Sequence, residues 1–450
     1  MVTISGAADA PSSALLTDHY ELTMLQAALR SGAAHRRSVF EVFARRLPDG
    51  RRYGVVAGTA RVLEAIAAFR FDDAQLAFLD RTGVVDRPTL DWLAGYRFRG
   101  TVRGYAEGEC YFPQSPILTV EGTFAEAVLL ETVVLSVLNH DSAIAAAASR
   151  MVSAAAGRPC IEMGSRRTHE QAAVASARAA YLTGFASTSN LEAGFRYGIP
   201  TQGTAAHAFT LVHDTERQAF QTQVATLGKG TTLLVDTYDV AEAVRAAVDV
   251  AGPDLGAVRL DSGDLLWMAH RVRRQLDELG AHATKIVVTS DLDEYAIAAL
   301  AVAPVDAYGV GTQLVTGSGA PTASMVYKLV ARAESEAPHA PLVPVAKKAP
   351  DKPSLGGVKY AYRRKDADGV ASDEVVGIGV APADFADRGR NLIRTFVVDG
   401  EPVESPTLDE GRALHRAALA ELPLSVTQLS RGEPVIPTVY ERGAAEEGSA

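Results

Sequence analysis

The chain has 450 residues, of which 47% are hydrophobic and 22% charged, a composition typical of a globular protein large enough for more than one domain. Its formal net charge of -10 at pH 7 repels nucleic acid and anionic membrane surfaces, so any phosphate must be bound at a local site. Two cysteines, Cys110 and Cys160, are too few for a disulfide framework or a zinc knuckle, and we expect them to be small buried side chains in a reducing, cytoplasmic compartment.

The amino-terminal segment carries no targeting pattern. Residues 1–13 are small and polar, without the basic start and apolar core of a signal peptide. The alanine-rich residues 143–156 are broken by Ser149 and Arg150, and no run of the chain is long and apolar enough to span a bilayer. We therefore expect neither export nor membrane insertion.

The first part of the chain mixes helical and strand patterns. Residues 15–29 have apolar side chains at helical spacing, with Thr17 or Asp18 as the amino-terminal cap and Gly32 just beyond the end. Strand patterns fall at 38–44, 101–105, 110–112 and 117–120, and helical patterns at 54–69, 74–79 and 90–93. We predict a mixed α+β domain over residues 1–125.

A long helical stretch follows from Phe124 to about Ala156, with a break expected near residues 139–141. Beyond it, short apolar strands end in polar or Gly-rich turns and alternate with helical sequence. The strands with their turns fall at 159–167, 185–190, 197–207, 232–239, 256–264, 285–291 and 306–312. This alternation predicts a parallel sheet, and the number of units predicts closure into a barrel, which we assign to residues 126–330.

The last part of the chain is predicted to return to the first domain. A strand is expected at 323–330, a loop at 334–359, strands added to the first domain at 360–398, and a helix at 408–422. Residues 331–450 then form a carboxyl-terminal segment that packs on the first domain. The polar tail 441–450 is expected to be disordered.

Polar residues follow nearly every strand of the predicted barrel. In barrels of this kind the carboxyl ends of the strands form one mouth, where active sites lie. The residues placed there are Arg166, Arg167, Asn190, His207, Asp236, Asp239, Arg259, Asp261, Asp264, Asp291, Gly311 and Thr312. Polar residues also begin turns and cap helices at any strand end, and for Asp236, Asp239 and Asp264 both interpretations stay open.

These residue types suit an anionic substrate that carries phosphate. Arginine binds carboxylate or phosphate through its planar fork of donors. Gly-rich turns at 311–312 and 317–319 can cradle a phosphate with backbone N–H groups. The two aspartates of residues 261–264 suit either Mg²⁺ or sugar hydroxyls.

Function and packing compete as interpretations of two further residues. His207 lies in a strand-to-helix turn that begins at Gly203. Beside a carboxylate it can act as a general base or a phosphate acceptor, but a lone histidine in such a turn is also typical of a helix start. Tyr20, in the first turn of the first helix, is by itself typical of aromatic packing.

A series of motifs stands in the same order as in the nicotinate phosphoribosyltransferase family, which the chain resembles from about Leu15 to Lys365. The motifs are LLTDHY at 15–20, EMGSRR at 162–167, ASTSN at 186–190, GTAAHA at 203–208, VRLDSGD at 258–264 and YGVGT at 308–312. Several motifs in order are far more specific than any one of them. The tail after Lys365 matches no motif of the family.

The resemblance implies an irregular α/β barrel of the type II phosphoribosyltransferase kind, with a mixed α+β amino-terminal domain completed by carboxyl-terminal strands. It implies transfer of phosphoribose from phosphoribosyl pyrophosphate to nicotinate, giving nicotinate mononucleotide and pyrophosphate for NAD salvage. ATP would be hydrolysed alongside through a transient phosphohistidine. The implied cofactors are Mg²⁺ and ATP, and the implied assembly is a cytoplasmic homodimer with shared active sites.

The resemblance also assigns roles residue by residue. His207 matches the phosphorylated histidine, and Asp261 matches the carboxylate expected near it. The implied nicotinate-binding residues are Thr204, Arg259 and Arg166, together with Tyr20 of the partner subunit. The implied phosphoribosyl-binding residues are Gly311, Thr312, Asp291 and Ser189. The metal ligands are not identified, and Asp236 and Asp264 are candidates.

Three other functions stay open on the same residues. A nicotinamide or quinolinate phosphoribosyltransferase would share the fold, although an arginine facing the ring substituent favours a carboxylate over an amide. A non-catalytic nucleotide sensor would not need His207 and Asp261. A barrel aldolase or isomerase would need a Schiff-base lysine or a basic carboxylate at a strand end, and Lys285 precedes its strand while Lys328 lies within another.

Overall fold

The computed structural model describes residues 11–337, 339–347, 354–379 and 389–442. The chain folds into two compact units, one formed by Met1–Ala143 with Thr322–Ala450 and the other by Ile144–Pro321. The sequence-based division placed its boundaries at residues 125 and 330. The two units of the structure divide instead at residues 143 and 321, and the first of these divisions lies within the long helix Glu131–Ala154.

The helices and strands are numbered in chain order. The amino-terminal segment contains α1 (His19–Ser31), α2 (Thr59–Ala67), α3 (Asp73–Thr82), α4 (Arg87–Ala94), α5 (Phe124–Val128), β1 (Arg37–Ala44), β2 (Gly54–Val55), β3 (Thr101–Gly104), β4 (Cys110–Tyr111) and β5 (Leu118–Thr123). The middle segment contains α6 (Glu131–Ala154), α7 (Glu170–Leu182), α8 (Leu191–Tyr197), α9 (His207–Leu211), α10 (Glu216–Leu227), α11 (Val240–Ala251), α12 (Leu265–Glu278), α13 (Glu294–Ala299), α14 (Thr312–Val315), β6 (Cys160–Glu162), β7 (Ser187–Thr188), β8 (Thr232–Leu234), β9 (Ala257–Leu260), β10 (Lys285–Ser290) and β11 (Ala307–Val310). The carboxyl-terminal segment contains α15 (Leu408–Ala420), β12 (Met325–Ala333), β13 (Leu342–Pro344), β14 (Lys359–Lys365), β15 (Ala371–Ile378), β16 (Gly389–Asn391), β17 (Arg394–Val398), β18 (Glu401–Pro402) and β19 (Thr438–Arg442). Within the described ranges, no helix has both the length and the apolar character needed to cross a membrane.

Helix α1 confirms the boundaries that the sequence predicted. Asp18 occupies the amino-terminal cap position with extended backbone, and Gly32 ends the helix with a φ of 81°. Glycine adopts this left-handed conformation without the steric penalty of a side chain. Leu22 and Leu25 are buried in the core of the first unit, which is the face that the helical spacing predicted.

The first unit is built on an antiparallel sheet with the strand order β13-β12-β1-β5-β3-β17-β18. The carboxyl-terminal strands β12 and β17 pair with β1 and β3, so carboxyl-terminal strands do complete the amino-terminal sheet, as predicted. The prediction was wrong in detail, because β12 had been assigned to the barrel and β14, β15 and β16 form a separate sheet with β19. Phe40 of β1 stacks on Tyr327 of β12 with ring centroids 4.9 Å apart. Such aromatic cross-strand pairs stabilise the pairing of strands that are distant in sequence.

The helix break expected near residues 139–141 is wrong. The chain breaks earlier, between α5 and α6, and α6 continues through these polar residues. The Asn139 side chain accepts a hydrogen bond from the backbone N–H of Met325 at 2.8 Å, and the Asp141 carboxylate accepts one from Arg61 at 2.8 Å. The polar side chains therefore satisfy partners outside the helix and leave its backbone ladder intact.

Two expectations for the carboxyl-terminal segment also need correction. The predicted loop 334–359 contains the short strand β13, which pairs with β12. In the predicted disordered tail, Glu441 and Arg442 belong to β19 and pair with β15. The rest of the tail, residues 443–450, lies outside the described residues.

The second unit is built on a parallel sheet with the strand order β7-β6-β11-β10-β9-β8. Every neighbouring pair is parallel, and helices connect the strands. The α/β class and the barrel-like curl are confirmed, and the sheet forms a half-barrel. Closure into a ring is not reached within the described residues, because the edge strands β7 and β8 do not pair with each other. The carboxyl ends of the strands still lie along one edge, as parallel pairing requires.

Both cysteines are buried free thiols, as the sequence predicted. Burial raises the pKa of the Cys160 thiol to about 12. Because the thiolate is the reactive form, this side chain is expected to behave as a small hydrophobic residue.

Buried His415 makes the stability of the first unit sensitive to acid. Its Nδ1 lies 3.0 Å from the carbonyl oxygen of Gly108, and burial lowers the pKa of the imidazole to about 4. The unfolded chain binds a proton near pH 6.5 and the folded chain only near pH 4, so stability falls as the pH drops through this window. We expect a loss of about 3 kcal/mol from this residue alone.

Urea unfolding at pH 7 and pH 4.5 measures this loss. The His415→Gln variant should show a pH dependence smaller by about that amount, while a variant of the exposed His282, His282→Gln, should match the parent chain. Equal pH dependence in all three proteins would contradict the assignment.

Candidate functional site

Two cavities adjoin along the parallel sheet. The larger one extends from the amino ends of the strands, at Thr232, Ala257 and Lys285, to their carboxyl edge, where the smaller one lies. The larger cavity has a volume of about 950 Å³, and at this edge its lining includes Arg166, Ser189, Arg259 and residues 203–206. The smaller cavity has a volume of about 230 Å³, and its lining includes Arg166, Arg167, Arg259, Asp261, Asp291, Gly311 and Thr312. Arg166 and Arg259 line both cavities, so a ligand that reaches from one to the other passes two guanidinium groups.

Arg259 is held at the junction of the cavities by its own strand and by a neighbouring turn. It lies in β9 and donates a hydrogen bond from Nη2 to the carbonyl oxygen of Ala205 at 3.1 Å. Its buried Nε has no hydrogen-bond partner among the described residues. Burial lowers the pKa of Arg259, and the carboxylates of Asp261 and Asp236 oppose this shift. A buried donor with an unmet hydrogen bond in a cavity is suited to an anionic ligand.

His207 is the first residue of α9, so it does begin a helix, as the packing interpretation required. Its ring also faces a carboxylate, because Nε2 lies 3.3 Å from Oδ1 of Asp236. The imidazole is 38% exposed and the Asp236 carboxylate only 4%. A buried carboxylate that holds one ring nitrogen fixes the ring orientation and leaves the other nitrogen available for chemistry.

Asp236 is the best-anchored acid of the site. Its Oδ2 accepts hydrogen bonds from the backbone N–H of Asp261 at 2.9 Å and from the Ser262 hydroxyl at 2.8 Å. The carboxylate expected next to His207 was Asp261, but Asp261 instead accepts a hydrogen bond from the Thr289 hydroxyl. Sequence reasoning missed this pairing because the two residues are 29 positions apart in the chain and only the folded sheet brings the turn after β8 to the start of α9.

The smaller cavity joins the turns that follow β10 and β11. The Thr312 hydroxyl donates a hydrogen bond to Oδ1 of Asp291 at 3.2 Å. Gly309, in β11, is required by close packing, since a Cβ there would lie 2.4 Å from Cγ2 of Thr289. The predicted phosphate-binding residues Gly311, Thr312 and Asp291 are thus brought together, while Ser189 lines the larger cavity.

Several predicted residues lie elsewhere or act as caps. Asp239 accepts a hydrogen bond from the backbone N–H of Glu242, and Asp264 accepts one from Trp267, so both cap helices as the alternative interpretation held. Asn190 caps α8. Tyr20 lies in the first unit, in the first turn of α1, and its side chain is 47% exposed.

Two acids that the sequence did not single out support the site. Glu162, at the end of β6, is fully buried and accepts hydrogen bonds from the Thr188 hydroxyl and the Gly164 N–H, which ties the ends of β6 and β7 together. Glu216 lies at the start of α10, where burial and the carboxylates of Asp236 and Asp239 raise its pKa to about 7. Thr188 is 26 residues from Glu162, and Asp236 and Asp239 are 20 or more from Glu216, so no sequence spacing indicates these contacts.

No cluster of three or more His, Cys, Asp or Glu side chains within the described ranges could hold a metal ion. The candidate ligand Asp236 is occupied by His207, Ser262 and the Asp261 backbone, and Asp264 caps a helix. The carboxylates therefore fit Mg²⁺ only where the substrate's own phosphates supply most of its ligands, which is a common mode of Mg²⁺ binding.

The fold and the site define an α/β protein whose parallel half-barrel carries an arginine-lined cleft at its carboxyl edge. Residues 15–139 match the model of the nicotinate phosphoribosyltransferase (NAPRTase) N-terminal domain. The chain is 57% identical over 432 residues to nicotinate phosphoribosyltransferase pncB1 of Mycobacterium tuberculosis, an alignment that covers 94% of both chains. It is 36% identical to the nicotinate phosphoribosyltransferase of Bacillus subtilis, over 78% of this chain and 73% of the relative. The chain therefore belongs to the nicotinate phosphoribosyltransferase family.

Solved structures show the same fold. Human nicotinic acid phosphoribosyltransferase superposes with a TM-score of 0.80 at 27% identity, covering 94% of this chain and 97% of the human chain. A nicotinate-nucleotide pyrophosphorylase from Pyrococcus furiosus superposes with a TM-score of 0.75 at 24% identity, covering 94% of this chain and 98% of that chain. The second similarity concerns the fold alone.

Proposed function

We propose that the chain transfers phosphoribose from phosphoribosyl pyrophosphate to nicotinate in NAD salvage, with ATP hydrolysed alongside. The observation that carries the proposal is the position of Arg259 and Arg166, which line both adjoining cavities. The larger cavity has room for the pyridine ring and the smaller one for a phosphate. The family relatives named for this activity support the same substrate pair.

Nicotinate binds in the larger cavity with its carboxylate against Arg259. The unpaired Nε of Arg259 supports this pose because an incoming carboxylate would satisfy it. Thr204 lines the same cavity and Arg166 stands at its junction with the smaller one. The ring stacks on Tyr20 of the partner subunit in a homodimer, which the exposure of the Tyr20 side chain permits.

The phosphoribosyl group lies across the junction, with its 5-phosphate in the smaller cavity near Gly311, Thr312 and Asp291. Ser189 faces the ribose from the larger cavity. Departure of pyrophosphate leaves positive charge on the sugar and negative charge on the leaving group. Arg166 and Arg167 hold the oxygens of the leaving group, and Mg²⁺ bound to the diphosphate would supply further neutralisation of its charge. The pyridine nitrogen attacks unprotonated, so the step needs no strong general base.

His207 couples ATP to this reaction through a phosphohistidine. With Nε2–H donated to Asp236, Nδ1 attacks the γ-phosphorus, the bond from that phosphorus to the bridging oxygen breaks, and ADP leaves. Asp236 stabilises the positive ring that forms. Phosphorylated His207 favours a site conformation that binds phosphoribosyl pyrophosphate tightly, and hydrolysis of the phosphohistidine resets it.

The Asp236→Asn variant tests this arrangement. The asparagine side chain would keep a hydrogen-bonding group but lose the charge that holds the imidazole. We expect ATP stimulation of the rate to fall about 10-fold to 100-fold, the worth of a hydrogen bond to a charged group, with the KM for nicotinate unchanged. The helix-capping Asp239→Asn variant is the matched control, since its side chain contacts the backbone of Glu242. Equal ATP stimulation in both variants would contradict the role of Asp236.

The assay of pyridine substrates tests the proposed function directly. Purified protein is incubated with phosphoribosyl pyrophosphate, Mg²⁺ and ATP, and with nicotinate, nicotinamide or quinolinate in parallel, and the mononucleotide is followed by chromatography. Of the three pyridine substrates, we expect only nicotinate to give a mononucleotide product. Product from one of the other rings would move the function to a sister enzyme, and no product from any ring would support a nucleotide sensor. A cytoplasmic location is proposed with this function, because its substrates are those of NAD salvage.

A further inference from the structure

We infer that Arg150 and Glu294 are positioning residues that hold the turn of residues 311–319, which contains the single-turn helix α14, in its phosphate-binding shape. The inference rests on the proposed function, in which this turn binds the 5-phosphate of the sugar. Neither residue lines either of the two cavities, so neither is expected to touch the substrate. Their effect on the reaction passes through Ser318.

Two side-chain hydrogen bonds hold the turn of residues 311–319 to the segment that follows β10. In the first, Thr312 donates its hydrogen bond to Asp291 at the cavity wall, at 3.2 Å. In the second, the Ser318 hydroxyl donates to Oε2 of Glu294 at 2.5 Å. Asp291 and Glu294 are three residues apart in the chain, so one short segment holds both ends of the turn.

Arg150 supports the second hydrogen bond, between Ser318 and Glu294. Glu294 is fully buried and Arg150 is 2% exposed. Nε of Arg150 donates to Oε1 of Glu294 at 3.1 Å, and Nη2 lies 3.4 Å from the Tyr295 hydroxyl. Burial of a carboxylate is costly unless it is paired and hydrogen-bonded, and Arg150 from α6 supplies that pairing at Oε1 while Oε2 accepts the hydrogen bond from Ser318.

The backbone conformation of the turn explains why hydrogen bonds from outside the turn are needed to hold it. Gly317, Ser318 and Gly319 have φ values of 65°, 51° and 84°. Serine rarely adopts this left-handed conformation, and two hydrogen bonds hold it there: the hydroxyl bond to Glu294, and the bond from its N–H to the carbonyl oxygen of Gln313 at 2.6 Å. Without the hydrogen bond from Ser318 to Glu294, residues 312–318 can change conformation. The backbone N–H groups of Gly311 and Thr312 are then no longer held in the orientation that binds phosphate.

Two substitutions test the inference. Ser318→Ala removes the hydrogen bond to Glu294 and leaves the buried ion pair of Arg150 and Glu294 intact. Glu294→Gln removes the negative charge of that pair and leaves Arg150 buried opposite a neutral amide. We expect Ser318→Ala to raise the KM for phosphoribosyl pyrophosphate about 10-fold and Glu294→Gln to raise it by more, with little change in kcat or in the KM for nicotinate. Glu278→Gln, on the exposed face of α12, is the matched charge control.

Calorimetric titration with ribose 5-phosphate provides a readout that does not depend on turnover. Ser318→Ala should weaken this binding by about the same factor of ten, and Glu278→Gln should bind as the parent chain does. Parent-like binding by Ser318→Ala and by folded Glu294→Gln would overturn the inference, as would the lack of any binding by the parent chain. Normal binding without turnover in the parent chain would instead overturn the proposed function alone.

Discussion

The His207→Ala variant should lose the ATP stimulation of nicotinate mononucleotide formation while keeping a slow, ATP-independent rate. His207 is the histidine at the carboxyl edge whose ring nitrogen faces buried Asp236, and the methyl group of alanine cannot accept a phosphoryl group. We expect the ATP-stimulated rate to fall by about 10²-fold or more, the loss that follows removal of one positioned catalytic group. The measurement is the initial rate at low phosphoribosyl pyrophosphate with and without ATP.

The control for this variant is His270→Ala, because His270 is an exposed histidine on α12. It should retain the parent rate and the parent ATP stimulation. If His207→Ala kept full ATP-coupled affinity for phosphoribosyl pyrophosphate, the phosphohistidine role of His207 would be wrong. The half-exposed position of the ring at the start of α9 would then reflect helix initiation alone.

The second large effect is expected at Arg259. Arg259→Lys keeps a positive charge but loses the planar fork and the Nε donor that is buried without a partner in the described part of the chain. We expect the KM for nicotinate to rise about 10-fold to 100-fold, the range for hydrogen bonds to charged groups. The preference for nicotinate over nicotinamide should decrease at the same time, because the neutral amide interacts less strongly with the guanidinium than the carboxylate does.

The Arg167→Lys variant distinguishes the roles of the two cavities in this experiment. Of the two cavities, Arg167 lines only the smaller one, so its substitution should raise the KM for phosphoribosyl pyrophosphate and leave the KM for nicotinate near the parent value. An unchanged nicotinate preference in Arg259→Lys would show that another group recognises the ring carboxylate. Equal effects of both variants on both substrates would contradict the division of roles between the cavities.

The sequence predicted the features that depend on neighbours along the chain. The cap at Gly32 and the apolar spacing of α1 follow from local backbone and side-chain preferences, and the alternation of strand, turn and helix predicted the parallel sheet. The motif at 258–264 placed Arg259 at the end of a strand, where it lines both cavities. Local rules suffice for these features because the interactions that set them span only a few residues.

The features that the sequence missed depend on the order of strands in space. His207, at the start of α9, faces Asp236, which follows β8, and Asp236 contacts Asp261 and Ser262 because β8 lies beside β9 in the sheet. Arg150 and Glu294 are 144 residues apart in the chain and form a buried ion pair that no spacing indicates. At 139–141, polar residues that are typical of a helix break instead find partners outside α6, so tertiary contacts outweigh the local preference.

The measurement that tests the account most directly is the initial rate of nicotinate mononucleotide formation by the parent chain at low phosphoribosyl pyrophosphate, with and without ATP. ADP and the mononucleotide are quantified in the same samples. We expect product from nicotinate in both cases, a faster rate with ATP, and ADP in the samples that contain ATP. A rate that ATP leaves unchanged would contradict the coupling through His207, and no product from nicotinate would contradict the proposed function itself.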